Sequence, residues 1–139
     1  MPGGLLPGRT QYAALCYRMS GSASEVLLIT SRDTGRWVIP KGWPIDGLSP
    51  AQSAAREAYE EAGVRGRVRE TALGLYGYPK QLDNGEVVHL MVAVFPLAVE
   101  ASASDWPERG QRRLRWLSPR KAAAKVNEPE LRALLRTYE

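Results

Sequence analysis

The stretch Gly42-Trp43-Pro44-Ile45-Asp46-Gly47-Leu48-Ser49-Pro50-Ala51-Gln52-Ser53-Ala54-Ala55-Arg56-Glu57-Ala58-Tyr59-Glu60-Glu61-Ala62-Gly63-Val64 contains the best-defined helix of the chain. Ser49 offers a side-chain oxygen to the unpaired N–H groups of a first turn, and Pro50 brings a φ already set for the first helical position. The run Ala51 to Ala62 is rich in Ala, Glu and Arg, and Gly63 is placed to end it in a left-handed cap. Upstream, Pro40 to Gly47 holds two prolines and two glycines in eight residues, which predicts a loop.

Glu57, Glu60 and Glu61 stand at i, i+3 and i+4, so a helix brings them to one face. Three converging carboxylates repel one another unless a cation sits among them, and oxygen ligands of high negative charge suit Mg²⁺ or Mn²⁺. Arg56, beside Glu57 and four residues before Glu60, can orient a carboxylate with its planar guanidinium. The plain alternative is a solvated helix face on which an Arg/Glu pair contributes a few tenths of a kcal/mol.

Outward from the helix, Gln11 to Arg18 and Glu25 to Thr30 are β-like runs separated by the Ser/Gly stretch Met19 to Ser24, an expected hairpin. Ser31 to Arg36 is turn-like and Trp37-Val38-Ile39 a short apolar strand. On the C-terminal side, Arg67 to Tyr78 and Val87 to Leu97 are strand-like, joined by a polar turn over Pro79 to Gly85; the second is nearly all apolar after His89 and is expected to be buried on both faces. Ala98 to Gly110 is an expected loop and Gln111 to Leu117 alternates as an edge strand would. Ser118-Pro119 begins another capped helix, and Asn127 to Glu139 is expected to form the last. Without repeats or low-complexity tracts, this order predicts one domain built as a mixed sheet covered by helices.

Read in order, Gly42, Arg56-Glu57, Glu60-Glu61 and Gly63-Val64 resemble the Nudix signature: Gly, five residues, Glu, seven residues, Arg-Glu, an aliphatic, any residue, Glu-Glu, any residue, Gly, an aliphatic. Every spacing agrees. Two positions depart from it: Leu48 stands where the pattern has a lone Glu, and Ala58 where it has a larger aliphatic. Leu48 removes a negative group, and Asp46 in the same loop is a possible substitute. The signature covers the 23 residues from Gly42 to Val64. The stretch Ser31 to Pro40 leading into Lys41-Gly42 looks like the diphosphoinositol polyphosphate phosphohydrolase branch, as does Trp116-Leu117-Ser118-Pro119 followed by the Ala-rich Lys121 to Val126.

The resemblance implies an α/β (α+β) fold, a Nudix-type α/β/α sandwich with a mixed sheet between helices. It further implies metal-dependent hydrolysis of a phosphoanhydride bond, with Glu57, Glu60, Glu61 and Gly42 at the metal and Arg56 assisting. The implied substrates are diphosphoinositol polyphosphates, dinucleoside polyphosphates and nucleoside diphosphate derivatives, which share a diphosphate and little else. Such cleavage needs phosphate charge neutralised and a water aligned on phosphorus. The proton then goes to one of the helix glutamates or to a loop carboxylate, Glu86 or Glu108. For phosphate contact the expected groups are Lys41 beside the Gly42 loop and Arg32 and Arg36 in the preceding turn. Trp43 can stack on a base or pack its loop, and His89, the only histidine, is a weaker substrate contact.

The bulk properties fit. The 139 residues suit one domain, with residues 1–9 an expected flexible leader. At 44% hydrophobic and 24% charged the chain has the composition of a folded globular protein. A net charge of +4 favours small anionic partners or serves solubility alone. Cys16 is the only cysteine, which excludes an internal disulfide and a cysteine-built zinc site. No run approaches a bilayer span, and the opening residues lack a secretory pattern, so the expected setting is cytoplasmic. Two rivals stand beside the hydrolase: a nucleotide-binding sensor of the same fold that has lost catalysis with the carboxylate at 48, and a basic nucleic-acid binder. Clustered glutamates argue against the second, because they repel phosphates unless a metal intervenes.

Overall fold

Along β1 (Thr10–Ser20), Ala13 and Leu15 pack into one side of a sheet while Ala14 and Cys16 pack into the other, and all four are buried. The same alternation runs through β2 (Ala23–Thr30), where Val26 and Leu28 oppose Leu27 and Ile29. It recurs in β7 (Val87–Ser102), where Val92 and Val94 oppose Ala93, Phe95 and Leu97. Strands that bury both faces must be covered twice. In this computed structural model, which describes residues 8–139, they are; of the expected leader, residues 1–7 lie outside the described residues.

One face is covered by α1 (Pro50–Ala62), whose Ala51, Ala54, Ala58 and Ala62 form the contact stripe at helical spacing. The absence of larger side chains on that stripe lets the helix axis approach the sheet, and Ala58 is fully buried as it stands. The other face is covered by α2 (Pro119–Lys125) and α3 (Pro129–Arg136), which bring Ala122, Ala123, Leu131 and Leu135 against Leu15, Leu28, Tyr76 and Val92. This is the expected α/β/α sandwich. The sheet is mixed, because β1 runs parallel to β7 while the remaining pairs are antiparallel. Among the described residues no helix is long and apolar enough to cross a membrane.

Several expected boundaries move. The Pro40 to Gly47 loop contains a two-residue strand, β4 (Lys41–Gly42), paired with Tyr12 and Ala13 of β1, so its start is held by the sheet. The single strand expected over Arg67 to Tyr78 is two, β5 (Val64–Val68) and β6 (Gly74–Gln81), and both lie along one edge of β7. The break falls opposite Pro96, which has no N–H to donate, although its carbonyl still accepts from Arg69. Pairing with β5 carries β7 on to Ser102, beyond the expected end at Leu97. The edge strand shortens to β8 (Leu114–Leu117), while a short β3 (Trp37–Val38) pairs the end of β2 at Ile29 and Thr30, on the edge of β2 that also meets β1.

Candidate active site

The helix cap forms as its sequence requires. Ser49 Oγ accepts from the Gln52 N–H at 3.1 Å and Gln52 Oε1 accepts from the Ser49 N–H at 2.9 Å, a reciprocal pair that fixes where α1 begins. With the start fixed, Glu57 and Glu61 fall one turn apart on the side facing β4. Glu61 is 5% exposed. Burial pushes its carboxyl up to about 8, against the pull of Arg112 and with help from the hydrogen bond and charge of Glu57. Glu57 is raised too, by burial first, while its hydrogen bond with Glu61 opposes the rise. Both shifts have one cause: two carboxyl groups packed together away from water are less readily ionised than either would be in solution.

Opposite this pair, β4 supplies its backbone. The Lys41 N–H donates to Glu61 Oε1 at 3.4 Å. A Cβ on Gly42 would stand 2.4 Å from Glu57 Cδ, so only glycine lets the carboxylate lie there. The Lys41 ammonium lies 5.0 Å over the Tyr78 ring, and burial lowers its pKa.

A third carboxylate arrives from the segment after β7. That segment is tied to the end of α1 twice, by the Ala103 N–H on the Gly63 carbonyl (2.8 Å) and the Glu108 N–H on the Glu60 carbonyl (3.0 Å). Gly63 does two things here: it takes the left-handed φ of 69° that ends the helix, and it leaves room for Trp106, whose ring atoms would stand 2.5 Å from any Cβ. Glu108 then meets Arg112 Nε at 2.9 Å and Arg32 Nε at 3.8 Å, both through Oε1. Arg112, with a side chain 10% exposed, also approaches Glu61 Oε2 at 3.9 Å.

These groups surround a cavity of about 430 Å³ whose walls include Glu57, Glu61, Glu108, Arg112, Lys41, Gly42, Trp43 and Arg32, together with Lys80 of β6. Trp43 is 44% exposed at its rim. An adjoining cavity of about 450 Å³ shares Lys41 and Lys80 and adds Arg36. Arg36 is already engaged, with Nη1 on Glu128 Oε2 at 2.7 Å.

The other expected residues are elsewhere. Glu60 is near enough to Glu57 to raise its pKa but does not line the cavity. Arg56 is exposed, on the wall of a separate cavity of about 440 Å³ with Leu48 and Tyr59. Asp46 is exposed and outside the lining. His89 is exposed on β7 opposite Pro79, and Glu86 caps its own turn through Asn84. Among the described residues, no three Asp, Glu, His or Cys side chains are already gathered as a metal cage. Arg112 and Lys80 lie at the site although nothing in their sequence neighbourhood singles them out: Arg112 is one of four arginines between Arg109 and Arg115.

The NUDIX domain family model matches residues 9–138. The chain is 38% identical over 101 residues to Nudix hydrolase 12, mitochondrial, of Arabidopsis thaliana, covering 70% of this chain and 50% of that protein. It is 36% identical over 97 residues to diphosphoinositol polyphosphate phosphohydrolase 2 of Rattus norvegicus, covering 69% and 49%. The chain thus spans about half the length of these curated relatives. In fold it is similar to a C. elegans Ap4A hydrolase solved as a binary complex, with a TM-score of 0.66, 21% identity and 93% of each chain covered; at that identity the likeness bears on the fold alone. With a family model spanning nearly its whole length and the signature's Gly42, Glu57 and Glu61 on the wall of one cavity, the chain belongs to the Nudix hydrolase family.

Proposed function

We propose that the chain hydrolyses a phosphoanhydride bond in a small, diphosphate-containing anion with the help of Mg²⁺ or Mn²⁺. The observation that carries this is the Glu57/Glu61 pair, Glu61 buried and Glu57 half-buried, lining one cavity with Lys41, Arg32 and Lys80. Two carboxylates packed together away from water form a site that a divalent cation would relieve, and the cleared space at Gly42 keeps Glu57 beside Glu61. The donor set is all oxygen, as hard cations require. Glu57 and Glu61 would hold the cation through their carboxylate oxygens, and Mg²⁺ at phosphate sites is commonly bound by one or two carboxylates together with the substrate's phosphates.

When bound, the cation neutralises phosphate oxygens and lowers the pKa of a water. The chain does the rest. Lys41, Lys80 and Arg32, which all line the cavity, hold the phosphate oxygens there with ammonium and guanidinium donors. Glu108 uses Oε1 for Arg112 and Arg32, which leaves Oε2 to take the proton of the attacking water. Arg36, held by Glu128, contributes field rather than a free donor. Trp43 at the rim offers a flat apolar face to a base or sugar. Leu48 lines a different cavity from Glu57 and Glu61, so the departure from the signature falls away from the proposed chemistry.

Phosphate release from diphosphoinositol polyphosphates, dinucleoside polyphosphates and nucleoside diphosphate derivatives, measured with Mg²⁺ and with Mn²⁺, tests the proposal. Turnover that disappears in a folded Glu61→Gln chain is the expected result. No turnover of any member of the panel with either cation ends it.

A further inference from the structure

Arg112 lines the cavity with a side chain only 10% exposed, and each of its three guanidinium nitrogens has a different partner. Nε donates to Glu108 Oε1 at 2.9 Å, Nη1 donates to the Thr30 carbonyl at 3.1 Å, and Nη2 faces Glu61 Oε2 at 3.9 Å. The Thr30 carbonyl belongs to the last residue of β2. The guanidinium is therefore tied to the end of a sheet strand while it holds one carboxylate from α1 and another from the 103–113 segment.

That segment has other ties near the cavity, among them Gln111 Oε1, which accepts from Arg32 Nη1 at 2.8 Å, and the Arg113 carbonyl, which accepts from the Thr30 N–H at 3.0 Å. It is docked at Gly63 through Trp106 and the Ala103 N–H, and its Glu108 backbone is held to Glu60. After Arg112 the Arg113 N–H rejoins the sheet on Thr30 Oγ1 at 2.9 Å. Between those anchors, the side-chain position of Glu108 depends on Arg112 and on the exposed, longer contact to Arg32 at 3.8 Å.

We infer that Arg112 is a positioning residue for the proposed hydrolysis: it fixes the Glu108 carboxylate at a set distance from the Glu57/Glu61 pair and, as a permanent cation, holds the three carboxylates together between turnovers. The inference rests on the hydrolase reading above. A planar fork with three separate directions is needed, because a lysine would restore the charge yet reach only part of the set. Geometry and charge therefore predict different outcomes on substitution. If geometry governs, Arg112→Lys fails almost as badly as Arg112→Gln; if charge alone governs, lysine rescues.

The test uses the full chain with Arg112→Lys, Arg112→Gln and, as a control far from the cavity, Arg136→Gln, which removes only the exposed contact to Glu139. Folding is checked by circular dichroism, Mn²⁺ affinity by water-proton relaxation, and kcat and KM on the substrate the parent turns over. The expected result is folded proteins in which both Arg112 variants lose about 10- to 100-fold in kcat with KM changed far less, and bind Mn²⁺ about 10-fold more weakly, as substitutions behind metal-holding groups do. Arg136→Gln matches the parent. Folded Arg112 variants with kcat and Mn²⁺ affinity like the parent's overturn the inference and leave the hydrolase intact, and a full lysine rescue overturns its geometric basis. A parent that binds Mn²⁺ but turns over nothing removes the hydrolase reading, and the Mn²⁺ comparison still decides Arg112. Should Arg112→Gln fail to fold, the charge-conserving lysine variant carries the decision; a parent without Mn²⁺ binding overturns both.

Discussion

At the scale of single residues, the Glu57/Glu61 pair couples protonation to stability. Burial in the folded chain pushes the Glu61 carboxyl up to about 8 from its ordinary value of 4.5. Between those values the folded chain binds the extra proton, so without a divalent cation its stability falls as pH rises through the window. A cation held by the same carboxylates is favoured by the opposite change, since it needs them ionised. Melting temperatures in EDTA should therefore drop by several degrees from about pH 5 to about pH 8, and excess Mg²⁺ should restore most of the loss at the upper end only. Glu61→Gln should flatten both dependences, because glutamine carries neither proton nor charge. A parent whose melting point is indifferent to pH and to Mg²⁺ would contradict the raised Glu61 carboxyl. Gly42→Ala belongs to the same scale: its methyl would collide with the Glu57 carboxylate, so turnover should fall at least tenfold while circular dichroism stays that of the parent.

Among the elements, α1 sets the register of the site by how it starts and how it stops. Removing the Ser49 cap by Ser49→Ala should cost about 1 kcal/mol in chemical denaturation, with kcat per folded molecule nearly unchanged. Gly63→Ala should be worse on both counts. It strains a φ of 69° and drives a methyl into Trp106, so it should lower stability by more than 1 kcal/mol and also loosen the segment that carries Glu108 and Arg112. Activity measured well below the melting point should fall with it. The signature's final glycine is thus as much a docking position for a later segment as a helix terminator.

For the whole molecule, the sheet separates a stabilising side from a chemical one. The α2/α3 side, with Leu131 and Leu135 against Tyr76 and Leu28, contains none of the glutamates of the cavity. Leu135→Ala should cost about 2–5 kcal/mol in denaturant titration by opening a fully buried position, and yet leave KM and kcat of the folded fraction close to the parent's. On the other side, the all-alanine stripe of α1 puts the helix close to the sheet, so the loop after β2, β4 and the segment after β7 all reach the same cavity. Pairing of β4 with the start of β1, and the return of the segment after β7 past the end of α1 to Thr30, bring these stretches together.

Much of this was written in short-range pattern. Ser49, Pro50 and Gly63 determine α1, the i, i+4 spacing determines that Glu57 and Glu61 share a face, and two-sided apolar runs determine buried strands, because capping, helical pitch and strand pleat act over a few residues. The same local rules could not say that Pro96 would split one expected strand into two, or that Lys41 and Gly42 would be held by β1. They also could not say whether Glu60, Arg56 and His89 would line the cavity, and could not select Arg112 from its run of arginines. Those outcomes depend on which sheet edge, which face and which distant carbonyl a side chain meets. Such meetings are decided by long-range strand pairing and packing, with Arg112 reaching back to Thr30 as the plainest case.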